Sequence, residues 1–455
     1  MKKILLLFLI CCYLPTFSQE NKFQNGEIID SIIVNKDTKE TFALYLPFQF
    51  NISESSPVVF IFEPMARGKA GIYPFIKAAE KYGYILVCSN NSRNGPYERN
   101  FDIANRLFNQ IFLDFNINNK RVYVSGFSGG SRLASAIAVL TNQIQGVVAC
   151  GAGFSLNKSH LPYKDSFSYA AIIGDEDMNF KEMQNTKNFL NRLNIPNELF
   201  VYEFNHSWPS QEQILIAFDW LQLEAYKKNI LPINLGNIKK SYTNYYKHAR
   251  NLQVDNQLLY ASNEYERILR NFKKYYQLDS ITDKLTVIKS DRLFTKEKKS
   301  LQSNFKEEVL LSDKFIDRFN DDFKKKQHDF KWWRSEIKKL NKKIKISESF
   351  KKKMLKRLQY KIFALSIETA TLGNKIKHID QSIFCYEICI LIYPKYPYPY
   401  FKQVENYINK NNQITALDYL EKLIANGYTN IQRIKDHKAF ESLKNNERFM
   451  QLIKI

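Results

Sequence analysis

A serine between small residues, in the segment Gly126-Phe127-Ser128-Gly129-Gly130, is the clearest candidate for covalent chemistry in this sequence. The segment follows the apolar run Val122 to Val124, which is typical of a buried strand, and precedes a helical pattern that starts near Ser131. A serine on a tight strand-to-helix turn exposes its hydroxyl, and small neighbours let the strand and the helix approach closely. The context predicts that Ser128 is a nucleophile, and the alternative interpretation is a plain glycine-rich turn.

A histidine that could activate this serine lies further along the chain. Of the six histidines, only His160 and His206 fall within the first 225 residues. His206 follows a strand pattern and precedes a helix that starts near Pro209, which places it in a loop at the carboxyl end of a strand, where open α/β sheets carry their sites. We therefore expect His206 to be the general base, with a capping or surface histidine as the alternative.

An acidic segment lies between the serine and the histidine, in the chain order expected for a Ser–acid–His triad. Asp175, Glu176 and Asp177 directly follow the apolar run Ala170 to Gly174, which predicts a strand. A carboxylate here could orient the histidine, whereas the alternative interpretation is a solvated acidic loop. The residues alone leave the choice among these three acids open, and His160 is disfavoured as the base because it precedes all of them.

The elements that would position these residues alternate between strand and helix. We predict strands at 41–46, 58–62, 84–89, 121–125, 146–150, 169–174 and 198–203, and helices at 75–82, 101–115, 131–140, 180–193 and 211–223. Such alternation predicts an α/β fold with a doubly wound, mostly parallel sheet and helices on both faces. After residue 226 the strand signals stop, and an all-α region is expected.

The motifs together resemble the polyhydroxybutyrate depolymerase/feruloyl esterase group of α/β-hydrolases. The resemblance rests on the Ser128 segment, the turn from Gly174 to Asp177 and the segment His206-Ser207-Trp208-Pro209, and it covers roughly residues 40–225. It implies that the serine attacks an ester carbonyl and that the histidine relays the proton. It also favours Asp177 as the triad acid, because a G-x-x-D turn is the usual position in these hydrolases, and leaves Asp175 as the second choice.

One segment departs from that group. The group usually has His-Gly after the strand that here ends at Phe62, whereas this chain has Glu63-Pro64-Met65-Ala66-Arg67-Gly68. An oxyanion hole needs two N–H donors. We expect Gly129 to supply one and Met65 the other, with Ala66 next in line, because proline has no N–H.

Polar and aromatic residues near these motifs are candidates for lining a substrate pocket. The loop from Ser89 to Gly95 follows a predicted strand and contains Asn90 and Asn91, and Trp208 follows the candidate base. Loops at the ends of strands often carry function. The alternative for the asparagines is an ordinary turn-rich connection, since asparagine is a common turn residue.

The second half of the chain differs from the first in charge. Residues 1–225 carry 20 Lys and Arg against 21 Asp and Glu, and the remaining residues carry 47 against 25. We expect a signal peptide at 1–18, a hydrolase domain at 25–225, a basic helical region at 235–380 and a further helical region at 384–455. The last region resembles degenerate tetratricopeptide repeats, which implies a surface for protein contact; a generic helical bundle is the alternative.

The basic helical region suggests a partner of opposite charge. Segments such as Lys331-Trp332-Trp333-Arg334 interleave basic and aromatic residues, a pattern that nucleic-acid-binding proteins also show. Export makes nucleic acid a poor candidate, so a protein or an anionic envelope surface is the expected partner. The alternative is that these charges are simply solvated helix faces.

The N-terminus has the pattern of an export signal. Lys2 and Lys3 precede the apolar run Ile4 to Leu14, and Thr16-Phe17-Ser18 provides small residues for cleavage after Ser18. We expect a periplasmic or extracellular protein, and Leu9 and Ile10 disfavour lipidation at the cysteines that follow. The spacing of the remaining cysteines indicates neither a disulfide framework nor a zinc site. No cofactor or metal is expected.

Three functions are compatible with this sequence. The leading hypothesis is a secreted serine hydrolase that cleaves carboxylic esters through Ser128, His206 and Asp177. The sequence does not identify the ester substrate. A serine peptidase could use the same three residues on the same fold. A catalytically inactive hydrolase fold, with its function in the helical region, is the third. Because the two halves differ in charge and pattern, we expect the hydrolase half to retain esterase activity after cleavage between residues 225 and 234.

Overall fold

The computed structural model describes residues 23–35, 39–163, 166–325, 328, 330–375 and 378–454. The expected signal peptide, residues 1–18, lies outside these residues. The chain divides into two compact units. Unit 1 is Met1–Ala170, Leu193–Pro196 and Pro209–Ile230, and unit 2 is Ala171–Arg192, Asn197–Trp208 and Leu231–Ile455. One division, between Ile230 and Leu231, lies close to the expected boundary near residue 225, but two segments of the predicted hydrolase domain group with the helical region.

In the described ranges, eight strands form a sheet in the order β1-β2-β4-β3-β5-β6-β7-β8. They are β1 Ile28–Ile33, β2 Thr41–Tyr45, β3 Ser56–Phe62, β4 Ile85–Ser89, β5 Ile117–Phe127, β6 Gly146–Cys150, β7 Ser168–Gly174 and β8 Asn197–Tyr202. The sheet is mostly parallel; β2 pairs with both β1 and β4 in the antiparallel sense, whereas β3 is parallel to β4 and β5. The predicted α/β fold with a mostly parallel sheet is confirmed.

The central strands are hydrophobic because both of their faces are covered. Every residue of β3 is buried, and so are all five residues of β4 and of β6. Such uninterrupted apolar runs are typical of parallel strands with helices on both sides of the sheet. In β5 the buried residues are concentrated in the half that leads to Phe127, so the strand enters the core just before Ser128.

Among the described residues, six α-helices accompany these strands. They are α1 Gly68–Ile72, α2 Ile76–Tyr82, α3 Tyr97–Asp114, α4 Gly129–Thr141, α5 Phe180–Arg192 and α6 Gln211–Lys227. A capping box starts α6: the Ser210 hydroxyl accepts from the Gln213 amide, and the Gln213 side chain accepts from the Ser210 amide. All the strands and helices predicted for residues 41–223 are present, with ends that differ by a few residues.

The sequence analysis missed β1 and α1 for local reasons. In β1 the apolar residues are interrupted by Asp30 and Ser31, and Ser31 has a φ of 59°, so the pairing with β2 is irregular there. Such a bulge breaks the period-2 pattern by which a strand is recognised. The single-turn helix α1 contains two glycines in five residues, which are poor helix formers.

In the described part of unit 2 after residue 231, the elements are helical, as predicted. They are α7 Leu235–Val254, α8 Leu258–Phe272, α9 Asp279–Ser290, α10 Arg292–Phe323, α11 Lys331–Ile346, α12 Ser349–Lys375, α13 Ile379–Ile392, α14 Pro397–Asn409, α15 Gln413–Ala425, α16 Ile431–Lys435 and α17 Glu447–Leu452. One apolar cluster joins α10 to α13, and a second joins α13 to α17. The resemblance of the last helices to tetratricopeptide repeats stays a prediction.

Within the described ranges, no helix combines the length and the apolar composition that crossing a bilayer would need.

Candidate active site

Ser128 lies in unit 1 at the sharp turn between β5 and α4. Its φ of 51° and ψ of −118° are unusual for a residue that is not glycine, and such strain is common at functional positions. Its amide donates to the carbonyl of Cys150 at 2.8 Å, which attaches the turn to the end of β6. Ser128 and Gly129 are both partly accessible, although their neighbours Phe127 and Gly130 are buried.

The flanking glycines of the turn are required by close backbone contacts. A methyl group on Gly126 would lie 2.4 Å from the carbonyl carbon of Gly130, and one on Gly130 would lie 1.9 Å from the carbonyl oxygen of Phe62. Both distances are shorter than van der Waals contact, so alanine at either position would push β5, α4 and β3 apart. The small residues noted in the sequence thus allow the predicted close packing of strand and helix.

His206 and Asp177 form a hydrogen-bonded pair in unit 2. His206 Nδ1 lies 2.7 Å from Asp177 Oδ2, and the carboxylate is fully buried while only 7% of the imidazole is exposed. The other carboxylate oxygen, Oδ1, accepts from the Asn179 amide at 2.8 Å. With Nδ1–H donating to Asp177, the imidazole keeps a lone pair on Nε2 and can accept a proton there.

Asp175 has different partners from Asp177. Its Oδ2 accepts from Lys353 Nζ at 2.7 Å and from the Tyr260 hydroxyl at 3.0 Å. Burial raises the pKa of Asp175, and the Lys353 ammonium opposes that rise. Lys353 also contacts Glu203 Oε1 at 2.8 Å. Asp177 thus forms a hydrogen bond with His206, whereas Asp175 forms its hydrogen bonds with residues of the helical region.

Helix α12 also fixes the acidic turn at two further points. Arg357 Nη1 donates to the main-chain carbonyl of Asp175 at 2.7 Å, and its Nε donates to Glu308 Oε1 at 2.9 Å. Lys356 Nζ contacts Glu176 Oε1 at 2.6 Å. All three acids of the turn are therefore bound, through side chain or backbone, and their environments differ.

Tyr360, one turn further along α12, is a candidate site residue that the sequence analysis missed. Its ring centroid lies 5.5 Å from that of His206, with the two planes tilted by 44°. Burial and the nearby Asp177 carboxylate raise the pKa of the Tyr360 hydroxyl to about 12. Because Tyr360 is 154 residues from His206 and belongs to an ordinary helical pattern, no local motif could have indicated this contact.

The expectation that Met65 provides an oxyanion donor is not supported. Its amide donates to Glu63 Oε2 at 2.7 Å, the same oxygen accepts from the Arg67 amide at 3.1 Å, and the Ala66 amide donates to the Glu63 carbonyl at 3.1 Å. The Glu63 carboxylate is fully buried, and the Arg67 guanidinium binds its Oε1. A buried carboxylate needs such donors, so these amides are already used.

Asn90 and Asn91, expected to line a pocket, both fasten their loop. Asn90 Oδ1 accepts from the Gly68 amide at 2.8 Å while its Nδ2 donates to Asp30 Oδ1 at 2.8 Å, and Asn91 Oδ1 accepts from the Thr41 amide at 2.8 Å. Asn90 lines an open cavity of about 630 Å³, whose lining among the described residues includes neither Ser128 nor Gly129.

The remaining predicted residues are Gly129 and Trp208. Gly129 is the first residue of α4, so its amide belongs to the free N-terminal turn of that helix. Trp208, two residues after His206, is partly buried. Within the part of the chain that the structure describes, no cluster of His, Cys, Asp and Glu has the arrangement of a metal site.

No family model and no curated protein matches this chain. Solved structures do match. An S-formylglutathione hydrolase of Staphylococcus aureus is 14% identical, with 43% of this chain and 96% of that chain covered and a TM-score of 0.37. A ferulic acid esterase is 14% identical, with 43% of this chain and 96% of that chain covered and a TM-score of 0.36. A Pyrobaculum calidifontis esterase is 14% identical, with 46% of this chain and 87% of that chain covered and a TM-score of 0.35.

Proposed function

We propose that this protein is an exported serine hydrolase that cleaves carboxylic esters through an acyl-enzyme, with Ser128 as nucleophile, His206 as general base and Asp177 as the orienting acid. The observation that carries the proposal is the 2.7 Å hydrogen bond between His206 and the buried Asp177. The strained turn at Ser128 supports it, because an exposed serine at such a turn is the usual nucleophile of this fold.

The proposed reaction has two steps. His206 Nε2 removes the Ser128 hydroxyl proton while the oxygen attacks the ester carbonyl, and the imidazolium that forms is stabilised by the Asp177 carboxylate. Collapse of the tetrahedral intermediate transfers that proton to the departing alcohol and leaves an acyl-serine. Water, deprotonated by His206, then attacks the acyl carbonyl and releases the acid and the free serine.

A serine peptidase and an inactive scaffold are the alternatives. A peptidase needs the same three groups, so only the leaving group of the preferred substrate distinguishes it from an esterase. The occupied amides around Met65 favour the scaffold, since a single oxyanion donor would leave the intermediate poorly stabilised. The His206–Asp177 pair favours an enzyme, because its geometry holds the imidazole in the tautomer that a base requires.

Labelling with a fluorophosphonate probe tests this proposal. We expect the wild type to be labelled and Ser128→Ala to be unlabelled. Ser131→Ala is a matched control, because its hydroxyl donates to the carbonyl of Ala152 inside the same turn region and has no proposed role in catalysis. Absence of labelling in the wild type would contradict the proposal. Comparing p-nitrophenyl esters with p-nitroanilides of the same acyl group then separates an esterase from a peptidase.

A further inference from the structure

We infer that the carboxamide of Asn94 supplies the second oxyanion donor, in the role that the sequence suggested for the amide of Met65. This inference rests on the proposed function, because it concerns the same tetrahedral intermediate. The buried Glu63 carboxylate accepts hydrogen bonds from the amides of Met65 and Arg67. Turning either amide toward a substrate would remove a donor from a buried charge, which is unfavourable.

The next amide along this segment is also occupied. The Gly68 N–H donates to Asn90 Oδ1 at 2.8 Å, and the Ala66 N–H donates to the Glu63 carbonyl. Pro64 has no N–H to offer. No amide between residues 64 and 68 is therefore left for an oxyanion, and a second donor must come from another element of unit 1.

The side chain of Asn94 lies against Gly129, the residue whose amide is the first donor. A methyl group added to Gly129 would be 1.9 Å from Asn94 Oδ1, 2.8 Å from Cγ and 3.3 Å from Nδ2. The carboxamide therefore packs directly beside the α-carbon of Gly129, the residue that follows the nucleophile. Since the oxygen and nitrogen of a carboxamide have nearly the same shape, rotation about its last bond places the NH₂ group where the oxygen now lies.

The backbone holds Asn94 in this place while its side chain is free to bind. The Asn94 amide donates to the Pro64 carbonyl at 2.9 Å, and Arg93 forms a β-bridge with Met65. Asn100 Nδ2 donates to the Arg93 carbonyl at 2.9 Å. Among the residues that the structure describes, the exposed Asn94 carboxamide has no hydrogen-bond partner, so binding a substrate oxygen would break no existing bond.

The chemistry that this placement supplies is stabilisation of negative charge. When Ser128 attacks, the electron pair of the C=O bond moves to the carbonyl oxygen. The Gly129 N–H, at the positive end of the 13-residue helix α4, and the Asn94 Nδ2–H would both donate to that oxygen. Loss of one such donor lowers kcat by roughly 10²- to 10³-fold.

The test compares Asn94→Asp and Asn94→Leu with the wild type. Both side chains have nearly the shape of the asparagine side chain. Neither the carboxylate of aspartate nor the alkyl group of leucine can donate a hydrogen bond. We expect kcat on p-nitrophenyl acetate, and the second-order rate of fluorophosphonate labelling, to fall by roughly 10²- to 10³-fold with little change in KM. Since Asn94 is exposed, the thermal unfolding midpoint should stay the same. Wild-type kcat and labelling rate in both variants would overturn the inference.

A second variant tests the contact with Gly129 directly. A methyl group in Gly129→Ala has no room beside the Asn94 carboxamide, so it should displace that group and lower kcat. In an Asn94→Ala background the same methyl group has room, and its further effect should be small. Equal effects of Gly129→Ala in both backgrounds would count against the contact. If the wild type itself is neither labelled nor active, the proposed function fails instead, and the two failures are thereby distinguished.

Discussion

Arg357 donates a hydrogen bond of 2.7 Å to the main-chain carbonyl of Asp175, although 182 residues separate them along the chain. Both residues are buried, and the same guanidinium binds the carboxylate of Glu308. The turn that carries the candidate triad acid is therefore held by helix α12. This contact argues against the expectation that the first 225 residues would be active alone, because such a fragment lacks the donor.

We predict that this hydrogen bond matters for catalysis as well as for stability. Arg357→Met would leave the Glu308 carboxylate buried without its partner and lower the free energy of unfolding by about 3–5 kcal/mol. The double variant Arg357→Met/Glu308→Met removes both charges and should recover most of that loss. Its kcat should nevertheless remain about 10- to 100-fold low, because the Asp175 carbonyl has lost its donor and the turn can shift.

The comparison of the two variants separates positioning from folding. Lys351→Met is a matched control, since Lys351 lies in the same helix and pairs with Glu307 rather than with the acidic turn. Its kcat should equal that of the wild type. A double variant with wild-type kcat and restored stability would show that the Arg357 contact is structural only.

A second prediction separates the two aspartates of the turn. Asp177→Asn should lower kcat by on the order of 10⁴-fold, because the amide no longer holds the His206 imidazole in the required tautomer. Asp175→Asn should lower kcat only mildly but reduce stability, since Asp175 neutralises the partly buried Lys353. Steady-state kinetics together with thermal unfolding of both variants give the comparison. The opposite order of kcat values would make Asp175 the triad acid.

A third prediction concerns Tyr360, whose ring lies 5.5 Å from His206. Tyr360→Phe keeps the ring, so its kcat should remain within about twofold of the wild type, whereas Tyr360→Ala removes the packing that orients the imidazole and should lower kcat by roughly tenfold. The pKa of the hydroxyl is raised to about 12, so this group stays neutral at lower pH. The pH–rate profiles of the wild type and Tyr360→Phe should therefore coincide up to about pH 10.

The local parts of the candidate site could be predicted from the sequence because each has a local signal. Ser128 lies in a glycine-containing turn between a strand and a helix, and His206 follows a strand, so their contexts are visible within about ten residues. The choice of Asp177 over Asp175 came from a resemblance. The structure supplies a physical basis for it, since Lys353 and Tyr260 already bind Asp175.

The other parts depend on contacts that no short segment reveals. The amide of Met65 was expected to be free, but Glu63 folds back on its own turn and accepts from it. Arg357 and Tyr360 lie in a lysine-rich helix whose pattern indicates only an amphipathic surface. Their roles follow from tertiary contacts with residues more than 150 positions away.

A final prediction concerns the stability of unit 2 at low pH. Glu198 in β8 is buried; burial alone would raise its pKa, but Arg267 and Arg270 lower the pKa to about 2. Glu198 Oε2 lies 3.2 Å from Arg267 Nε and 2.9 Å from Arg270 Nη2. In the unfolded chain a glutamate has a pKa of about 4.3, so the folded state favours the ionised form. The stabilisation is therefore fully present above about pH 5 and is lost as the pH falls toward 2.

Thermal unfolding between pH 7 and pH 2 measures this dependence in the full chain. Glu198→Gln should unfold at a lower temperature than the wild type at pH 7, because the amide leaves the buried Arg267 guanidinium with less compensation. The two unfolding temperatures should converge as the pH approaches 2, where the wild-type carboxyl is also becoming neutral. The exposed Glu54→Gln is the control for loss of a single carboxylate and should follow the wild type. A constant difference between Glu198→Gln and the wild type at every pH would mean that Glu198 acts through its shape or hydrogen bonds and not through its charge.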